Sequence, residues 1–444
     1  MATDRADERL TATRIVALLR AGEASAEDIA RLHLAQIERV EPSVQAFTTF
    51  DAEHVLAQAR QVDARRSGGA PVGALFGVPV GIKDVFDTAD LPTENGTPLQ
   101  AGRRPHRDSA AVERLRRADA IVLGKTVTTE LAYYQPGKTH NPHDPSRTPG
   151  GSSSGSAAAV AAGMAPVAIG TQTNGSVIRP AAYCGVYGFK PSHGLISRRG
   201  VLQLSRRLDH VGVFAATLDD IALMCDVLAG HDPLDEDTRP RAVPDFVSLA
   251  QSEPPMAPRF AFLRSPYWSR ADDDTRQAFG ELVDALSLPC EEVELPGWAD
   301  DIERWQAAIM AADMAHNLRQ ALDHGADRLS ERMRDQLARG RQVLAADYLA
   351  ALEAAERLRQ TLSAIFDEYD AIITPATTGV APRGLDATGD PIFCSLGSFT
   401  GLPALSMPLM TGTDDMPLGV QLIGARHDDA RLLRSANALM RSLA

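Results

Sequence analysis

One stretch of the chain, from Thr148 to Pro180, constrains the fold more than any other. Its sequence, TPGGSSSGSAAAVAAGMAPVAIGTQTNGSVIRP, begins with a glycine-serine loop and ends with a second one. Between the loops, Ala157 to Ala162 consists of strong helix formers, Gly163 is a natural helix stop, and a short apolar strand follows. Alanine side chains project little, so we expect a buried helix against which neighbouring elements pack closely.

Ser152 and Ser176 lie in these two loops, at opposite ends of the helix-strand unit. Small hydroxyls on glycine-rich backbone are what nucleophilic catalysis with backbone oxyanion donors requires. Isolated Gly-Ser loops, however, more commonly serve as helix caps and turns. The two serines are therefore candidates that need support from the rest of the chain.

The composition excludes several classes of protein. Of 444 residues, 44% are apolar and 23% are charged, as in ordinary soluble globular proteins. The formal net charge of −13 argues against nucleic acid as an obligatory partner, because phosphate binding depends on clusters of Lys and Arg. No apolar run approaches the roughly 20 residues that span a bilayer, and residues 1–20 contain acidic residues where a signal peptide is basic and then apolar. We expect a cytoplasmic protein with no membrane partner.

The cysteines and histidines predict no metal, cofactor or disulfide framework. His140, His143 and Asp144 are close in sequence, but no HExxH pattern or distant third ligand accompanies them, so a polar loop is the expected structure. The cysteines are far apart and show no CxxC spacing, which is typical of reduced thiols. They are Cys184, Cys225, Cys290 and Cys394.

Strands and helices alternate along the chain. An apolar strand ending at Lys83, a helix over Ser109 to Ala118 and the strand IVLGKT begin a β-α-β rhythm. After Pro180 the pattern predicts short strands and turns, followed by a helix that ends at Gly230. The last part of the chain returns to strands and a closing helix.

This alternation predicts the architecture. We expect an α/β fold, a single large domain over residues 1–444 in which helices cover both faces of a central mixed β-sheet. The pattern over residues 300–369 predicts three Ala- and Arg-rich amphipathic helices. These helices are the best candidate for an insertion that shapes a substrate entrance.

Two familiar motifs match the sequence only in part, because the residues around them do not fit the motif. The pentapeptide GSSSG, Gly151 to Gly155, matches the GxSxG elbow of α/β-hydrolases with Ser153 at its centre. That elbow directly follows a strand, and the preceding HNPHDPSRTP cannot form a buried strand. The Gly-Lys-Thr triplets at residues 124–126 and 137–139 lack the first glycine of a Walker A loop. Neither motif assigns a function.

The chain resembles the amidase signature family of serine amide hydrolases from about residue 10 to its C-terminus. GVPVGIKD matches the family's lysine motif, TPGGSSSGSAAAVAAG its first serine motif and GTQTNGSVIRPA its nucleophile motif, all in the family's order. The two serines are 176 − 152 = 24 positions apart, the family's usual spacing. The segments CGVYGFKPSHGLISRRG, TGLPALSMP and LGVQLIG match as well.

The resemblance implies a cofactor-free Ser-Ser-Lys triad. Ser176 would be the nucleophile, and Ser152, with its peptide bond cis, would relay a proton to Lys83. A lysine acts as a base only when it is neutral, which burial at the end of an apolar strand favours. Backbone N–H groups would form the oxyanion hole, and further residues would support the triad. The implied oxyanion residues are Thr173, Asn174, Gly175 and Ser176, and the implied supporting residues are Gly151, Ser153, Arg179 and Asp209.

The chain departs from the commonest family pattern at three places. Gln172-Thr173-Asn174-Gly175-Ser176 stands where Asp-Thr-Gly-Gly-Ser is common, Ser154 replaces a glycine, and Arg179 lies one place later than the usual arginine. Asn tolerates positive φ best among non-glycine residues, so Asn174 can preserve a glycine-like loop geometry. These departures do not affect the three catalytic residues. They leave undetermined which side chains support the oxyanion loop.

We expect a hydrolase that cleaves amide C–N bonds of small molecules through an acyl-enzyme on Ser176, with carbamates (urethanes) and esters as possible further substrates. It would act as a monomer or homodimer. Two alternatives stay open, the glutamine-hydrolysing subunit of a tRNA-dependent amidotransferase and an inactive scaffold. The intact triad speaks against the scaffold, and the replaced residues near Ser176 together with segment 300–369 favour a free-standing hydrolase.

The same segment bears on the substrate. Trp305, Ile309, Met310 and Met314 follow one another at helical spacing. Such residues are more often core than pocket. If they line a pocket, we expect neutral apolar or aromatic amides and aryl carbamates to be preferred over glutamine.

Overall fold

One mixed β-sheet runs through the computed structural model, which describes residues 10–443. Within that range the sheet has eleven strands, in the spatial order β1-β3-β2-β4-β6-β5-β10-β11-β9-β7-β8. The strands are β1 (Phe47–Thr49), β2 (Pro79–Lys83), β3 (Ile121–Thr126), β4 (Val167–Gln172), β5 (Tyr187–Lys190), β6 (His210–Ala215), β7 (Phe260–Leu263), β8 (Cys290–Val293), β9 (Ala371–Pro375), β10 (Ala404–Thr411) and β11 (Pro417–Ile423). Strand β2 is parallel to both β3 and β4, whereas β4 and β6 are antiparallel. The predicted single α/β domain with a mixed sheet is confirmed.

Helices flank this sheet. Within the described range there are fifteen α-helices, besides short 3-10 turns. The α-helices are α1 (Ala12–Ala21), α2 (Ala26–Val44), α3 (Ala52–Ser67), α4 (Ala110–Arg117), α5 (Ser154–Ala161), α6 (Ile178–Cys184), α7 (Leu218–Leu228), α8 (Phe246–Gln251), α9 (Asp273–Ala285), α10 (Ile302–Asn317), α11 (Arg319–Gly325), α12 (Glu331–Gly340), α13 (Ala345–Phe366), α14 (Ser395–Thr400) and α15 (Asp429–Leu443). No helix among residues 10–443 is both long and apolar enough to span a bilayer.

Both faces of the sheet carry a hydrophobic core because successive residues of a strand point to opposite sides. In β9, Ile372 belongs to one buried cluster and its neighbour Ile373 to the other. Strand β10 repeats this with Ala404 and Leu405. The second cluster also contains the buried faces of α10, α12 and α13. The same strands therefore support the central helices and the helical segment.

The predicted buried helix is present as α5, and every one of its residues is buried. Its close packing depends on Gly155. A Cβ at this position would lie 2.2 Å from the carbonyl oxygen of Ala46 and 2.3 Å from the amide nitrogen of Val127. The last glycine of the GSSSG pentapeptide thus lets a helix approach the sheet, and the residues before it form a loop and not a strand.

Two sequence predictions of local structure were wrong. The residues around Pro180 form helix α6 instead of a strand or turn, and every residue of α6 is buried, so its sequence lacks the polar face that identifies a helix. Segment 300–369 contains four α-helices instead of three. Only Leu318 separates α10 from α11, and no Gly or Pro marks the break in the sequence.

Candidate active site

The sheet topology gathers the predicted catalytic elements at one edge. Lys83 is the last residue of β2, and Gln172 is the last residue of β4, its parallel neighbour. Because parallel strands end at the same edge, both loops that follow begin side by side. Strand β6 runs the other way and begins at His210 opposite Gln172, directly after Asp209.

Lys83 is completely buried at this edge. Its Nζ lies 2.8 Å from Ser152 Oγ and 2.8 Å from Thr171 Oγ1. Burial lowers the pKa of Lys83 well below its ordinary value, and the nearby Asp209 carboxyl opposes this effect only in part. Burial thus favours the neutral amine, which is the form able to accept a proton from the Ser152 hydroxyl.

The peptide bond between Gly151 and Ser152 is cis, as the resemblance implied. Arg179, which is almost wholly buried, donates from Nη2 to the Gly151 carbonyl oxygen at 2.7 Å. Its Nη1 donates to the Gly389 carbonyl oxygen at 3.0 Å, and Nη2 also contacts Thr388 Oγ1. The shifted Arg179 thus fastens the carbonyl next to Ser152.

Ser176 is half-buried and lines a small cavity together with Ser152. We call this cavity the catalytic pocket. Its volume is about 20 Å³. The walls also contain the three other residues proposed for the oxyanion hole and a set of larger side chains. The complete lining is Ala132, Tyr133, Tyr134, Ser152, Thr173, Asn174, Gly175, Ser176, Arg179, Leu204 and Met310.

The side chain of Gln172 organises the oxyanion loop from below. Its Oε1 accepts hydrogen bonds from the backbone N–H groups of Val177 at 2.8 Å and Ile178 at 3.0 Å. Its Nε2 donates to Ser398 Oγ at 2.9 Å. A carboxylate has no N–H to donate, so the carboxamide at this departure from the family pattern makes one bond that an acidic residue cannot.

Helix α14 supports the other side of the loop. Ser398 Oγ donates to the Asn174 carbonyl oxygen, and Ser395 Oγ lies 3.0 Å from Asn174 Oδ1. Asn174 is not among the described residues with positive φ, so it does not act as a glycine substitute. Gly175 is needed for space, because a Cβ there would lie 2.8 Å from the Pro391 side chain.

Asp209 holds the first residue of the loop. Its Oδ1 accepts from Thr173 Oγ1 at 2.7 Å, and its Oδ2 accepts from the backbone N–H groups of Leu204 at 2.8 Å and Ser205 at 2.9 Å. Burial raises the pKa of Asp209, and these hydrogen bonds oppose the rise. Asp209 therefore connects the loop at Thr173 to the segment before β6.

Ser153 supports the triad from one residue away. Its Oγ donates to the Thr171 carbonyl oxygen at 3.2 Å and accepts from the Thr171 N–H at 3.3 Å. Thr171 is also the second partner of Lys83, and no sequence pattern distinguishes it from its neighbours. The other partners missed from the sequence, Ser395 and Ser398, lie more than two hundred residues from the loop they contact, so no local spacing identifies them.

The apolar residues at helical spacing in α10 divide between core and pocket. Ile309 and Met314 are buried in the second cluster, and Trp305 packs against Phe399 with ring centroids 6.2 Å apart. Met310 alone among these four lines the catalytic pocket. The helix thus contributes one apolar side chain to the pocket.

The residues considered for metal binding take part in loop structure. His140 Nδ1 lies 2.7 Å from the Pro145 carbonyl oxygen, and His143 Nε2 lies 2.9 Å from the Cys184 carbonyl oxygen. None of the four cysteines forms a disulfide. Residues 10–443 contain no group of three His, Cys, Asp or Glu side chains placed to hold a metal ion.

Comparison with known proteins agrees with this arrangement. The profile of the Amidase family matches residues 28–433. The chain belongs to this family, the amidase signature enzymes. It is accordingly a hydrolase of amide C–N bonds.

Relatives and solved structures extend over nearly the whole chain. A glutamyl-tRNA(Gln) amidotransferase subunit from Acidothermus cellulolyticus is 35% identical, over 97% of this chain and 94% of that protein. A solved chain from a vestigial protein complex linked to the origins of an s-triazine catabolic enzyme is 30% identical with a TM-score of 0.90, over 97% of this chain and 98% of that one. Native peptide amidase from Stenotrophomonas maltophilia is 28% identical with a TM-score of 0.85, over 98% and 97%.

Proposed function

We propose that this chain is a free-standing, cofactor-free amidase in which Lys83, Ser152 and Ser176 form a catalytic triad. The observation that carries the proposal is the contact of 2.8 Å between Ser152 Oγ and the Nζ of Lys83, a lysine that is wholly buried and has a strongly lowered pKa. A neutral amine in contact with a hydroxyl is the arrangement that a proton relay needs. Ser176 lines the same pocket as Ser152.

The proposed reaction has two halves. Ser176 Oγ attacks the carbonyl carbon and loses its proton to Ser152 Oγ, which passes its own proton to Lys83 Nζ. The backbone N–H groups of residues 173–176 stabilise the resulting oxyanion, each donor contributing about 3 kcal/mol in related chemistry. The C–N bond then breaks as Ser152 protonates the leaving nitrogen and Lys83 returns the proton to Ser152. Water cleaves the acyl-enzyme by the same route.

The proposal extends to carbamates and esters, because attack by Ser176 and oxyanion stabilisation are common to these carbonyl compounds. We also propose that the helical segment 300–369 is an insertion that shapes the substrate entrance. Met310 of α10 lines the catalytic pocket, and Gln306 Nε2 donates to the Thr173 carbonyl oxygen at 3.3 Å. We propose a cytoplasmic monomer or homodimer that acts without a nucleic-acid partner.

A second candidate function is that of a glutamine-hydrolysing amidotransferase subunit. The identity of 35% to the glutamyl-tRNA(Gln) amidotransferase subunit from Acidothermus cellulolyticus, over 97% of the chain, favours it. This role would need a partner protein that accepts the ammonia. The free-standing hydrolase is our first candidate, because Gln172 and Asn174 replace the residues that the family commonly has beside Ser176.

Ser176→Ala tests the triad directly. We expect it to abolish hydrolysis of a panel containing a primary amide, a p-nitroanilide and a carbamate, and to abolish covalent labelling by a fluorophosphonate, because it removes the acyl acceptor. Ser153→Ala is the matched control and should keep its labelling. Labelling that persists in Ser176→Ala and disappears in Ser153→Ala would establish the GxSxG interpretation instead.

Kinetics on glutamine separate the two candidate functions. The ratio of kcat/KM for other amides over that for glutamine is measured on the purified chain, together with capture of partner proteins by the tagged chain. A ratio above one without a stoichiometric partner supports the free-standing hydrolase. Glutamine as the best substrate, with a partner that raises its turnover, would place the amidotransferase role first.

A further inference from the structure

Helix α10 directs one face towards the candidate active site. Gln306, Met310, Asp313 and Asn317 follow one another at intervals of four, three and four residues, so they lie on the same side of the helix. Met310 lines the catalytic pocket. The three polar members of the set form hydrogen bonds with two segments at the same edge of the sheet, the oxyanion loop and the residues before β6.

Two of the polar residues hold the segment before β6. Asn317 Nδ2 donates to the Leu204 carbonyl oxygen at 3.0 Å, and Ser205 Oγ donates to Asp313 Oδ2. The backbone N–H groups of Leu204 and Ser205 donate in turn to Asp209 Oδ2. Helix α10 and Asp209 are therefore joined through this segment.

Gln306 extends the contact of α10 to the oxyanion loop itself. The residue is almost wholly buried, and its Nε2 donates to the Thr173 carbonyl oxygen at 3.3 Å. Thr173 Oγ1 donates to Asp209 Oδ1 at 2.7 Å. The side chain and the carbonyl group of Thr173 thus have separate partners, one before β6 and the other on α10.

The hydrogen bond from Gln306 orients one peptide group of the proposed oxyanion hole. The carbonyl of Thr173 and the N–H of Asn174 belong to the same peptide group. Among the described residues only the bond between Gly151 and Ser152 is cis, so this group is trans, and its C=O and N–H point in opposite directions. A carbonyl that is held towards α10 therefore directs the Asn174 N–H away from the helix. Rotation of the group would exchange the two, and a carbonyl oxygen repels an oxyanion.

The other half of the Gln306 carboxamide has no partner. Its Oε1 is buried and forms no hydrogen bond among the residues that the structure describes. An unpaired buried polar atom destabilises a fold, and an apolar side chain of the same shape would avoid this cost. The unpaired atom therefore indicates that Gln306 serves its donor bond to Thr173 and not the packing of the core.

We propose, on the basis of the proposed function, that Gln306 is a positioning residue for the oxyanion hole. By holding the Thr173 carbonyl towards α10, Gln306 keeps the Asn174 N–H in the orientation that stabilises the oxyanion. The effect belongs to the transition state, because the oxyanion is absent from the bound substrate. The helical segment 300–369 thus contributes to turnover through α10, besides its proposed part in the substrate entrance.

Gln306→Met tests this inference, because it removes the donor and keeps the length of the side chain. The measurement is kcat and KM of the full chain for the amide that the wild type hydrolyses fastest, with kcat expressed per site titrated by a fluorophosphonate. Misfolded protein is then not counted as inactive enzyme. We expect kcat to fall by about 10- to 100-fold with little change in KM, since a misplacement of about 1 Å can cost about 10²-fold.

Gln421→Met is the matched control. Gln421 is also buried, its Nε2 donates to the carbonyl oxygens of Pro375 and Phe393, and its Oε1 likewise has no partner among the described residues. It lies in β11 and does not line the catalytic pocket. We expect Gln421→Met to keep its kcat. A loss of kcat equal to that of Gln306→Met would overturn the inference, because loss of any buried carboxamide would then lower turnover.

A transition-state analogue separates positioning from a purely structural role. In a trifluoromethyl ketone with the same acyl group as the amide, Ser176 Oγ adds to the carbonyl carbon, its proton passes to Ser152, and the carbonyl oxygen becomes an oxyanion. We expect Gln306→Met to raise the inhibition constant of the ketone by about the factor by which it lowers kcat/KM. An unchanged inhibition constant, or a raised KM with unchanged kcat, would overturn the inference.

Gln306→Glu provides a second variant of nearly the same shape. An ionised carboxylate accepts hydrogen bonds and donates none, so it repels the Thr173 carbonyl. We expect its kcat per titrated site to fall at least as far as that of Gln306→Met. Wild-type kcat in both variants, with Ser176 labelled, would overturn this inference and leave the proposed function standing. A wild-type chain that is not labelled at Ser176 and hydrolyses no amide would overturn the proposed function, and the inference with it.

Discussion

Burial of an amine without a carboxylate partner is the main electrostatic feature at the scale of single residues. Lys83 contacts two hydroxyls, Ser152 and Thr171, at 2.8 Å each. Another wholly buried lysine, Lys125, is on the neighbouring strand, but its Nζ lies 3.4 Å from the Asp84 carboxylate. Burial lowers the pKa of Lys125 only to about 8, because Asp84 favours its charged form. The two lysines therefore serve as a natural comparison.

Replacement of each lysine by methionine gives the first residue-scale prediction. Lys83→Met should lower kcat/KM on the order of 10²–10⁴-fold by removing the base, with little change in the free energy of unfolding. Lys125→Met should instead lower the free energy of unfolding, because it leaves the buried Asp84 without its partner. It should change kcat/KM little, because it does not alter the triad. Activity per folded molecule and thermal unfolding are measured for both. An active Lys83→Met enzyme would remove this lysine from the mechanism.

The pH dependence of activity follows from the same pKa shift. Lys83 acts as a base only when deprotonated, and burial lowers its pKa well below the ordinary value. We expect kcat/KM to fall on the acid side as Lys83 is protonated, at a pH below the ordinary lysine pKa. A profile of kcat/KM against pH measures this. An acid limb near the ordinary lysine pKa of about 10.4 would show that the base is not desolvated.

At the scale of elements, the oxyanion loop depends on a buried carboxamide. Gln172 Oε1 accepts from Val177 N–H and Ile178 N–H, and Gln172 Nε2 donates to Ser398 of α14. The same side chain therefore joins strand β4, the loop and a helix that is distant in sequence. Its removal leaves two backbone donors without their acceptor.

Gln172→Ala should lower the free energy of unfolding by about 1–3 kcal/mol and should lower kcat more than it raises KM, because the loop amides act on the transition state. Gln421→Ala is a matched control. Gln421 is also buried and donates to two carbonyl oxygens, those of Pro375 and Phe393. The control should lose comparable stability and keep its kcat. Equal kcat in both variants would separate Gln172 from catalysis.

The sequence predicted the elements around the loops better than the contacts between them. Strand β2, helix α5 and strand β4 were predictable because alternation, alanine content and glycine stops are local signals. Helix α6 was missed because it is buried on every side. The contacts of Asn174 with Ser395 and Ser398 depend on the approach of α14, which no local pattern encodes.

At the scale of the whole molecule, the sheet is shared by two hydrophobic cores. Ile372 and Ile373, adjacent in β9, face different clusters, as do Leu422 and Ile423 in β11. Strands β7, β9, β10 and β11 each contribute to both clusters, so loss of packing in one cluster disturbs strands on which the other depends. The central sheet therefore couples the helical segment 300–369 to the active-site edge.

This coupling predicts a single unfolding transition. Three signals should be lost together on heating or in urea: the helical circular dichroism, the fluorescence of Trp305 in the helical segment and of Trp298 just before it, and fluorophosphonate labelling at Ser176. Coincidence of independent probes is the test for cooperative unfolding. An early fluorescence transition that leaves labelling intact would show that segment 300–369 melts as a separate unit.

The burial of Lys83 also means that the folded and unfolded chains bind different numbers of protons. In the unfolded chain this amine has an ordinary pKa of about 10.4 and binds a proton at neutral pH, whereas burial lowers its pKa in the folded chain. Between the two values the unfolded chain binds more protons, so the contribution of Lys83 to the free energy of unfolding is greatest at high pH and is lost as the pH falls toward the folded pKa. Folding at a pH between the two values therefore releases protons from this site to the buffer. The formal net charge of −13 counts Lys83 as a cation, whereas burial favours its neutral form in the native molecule.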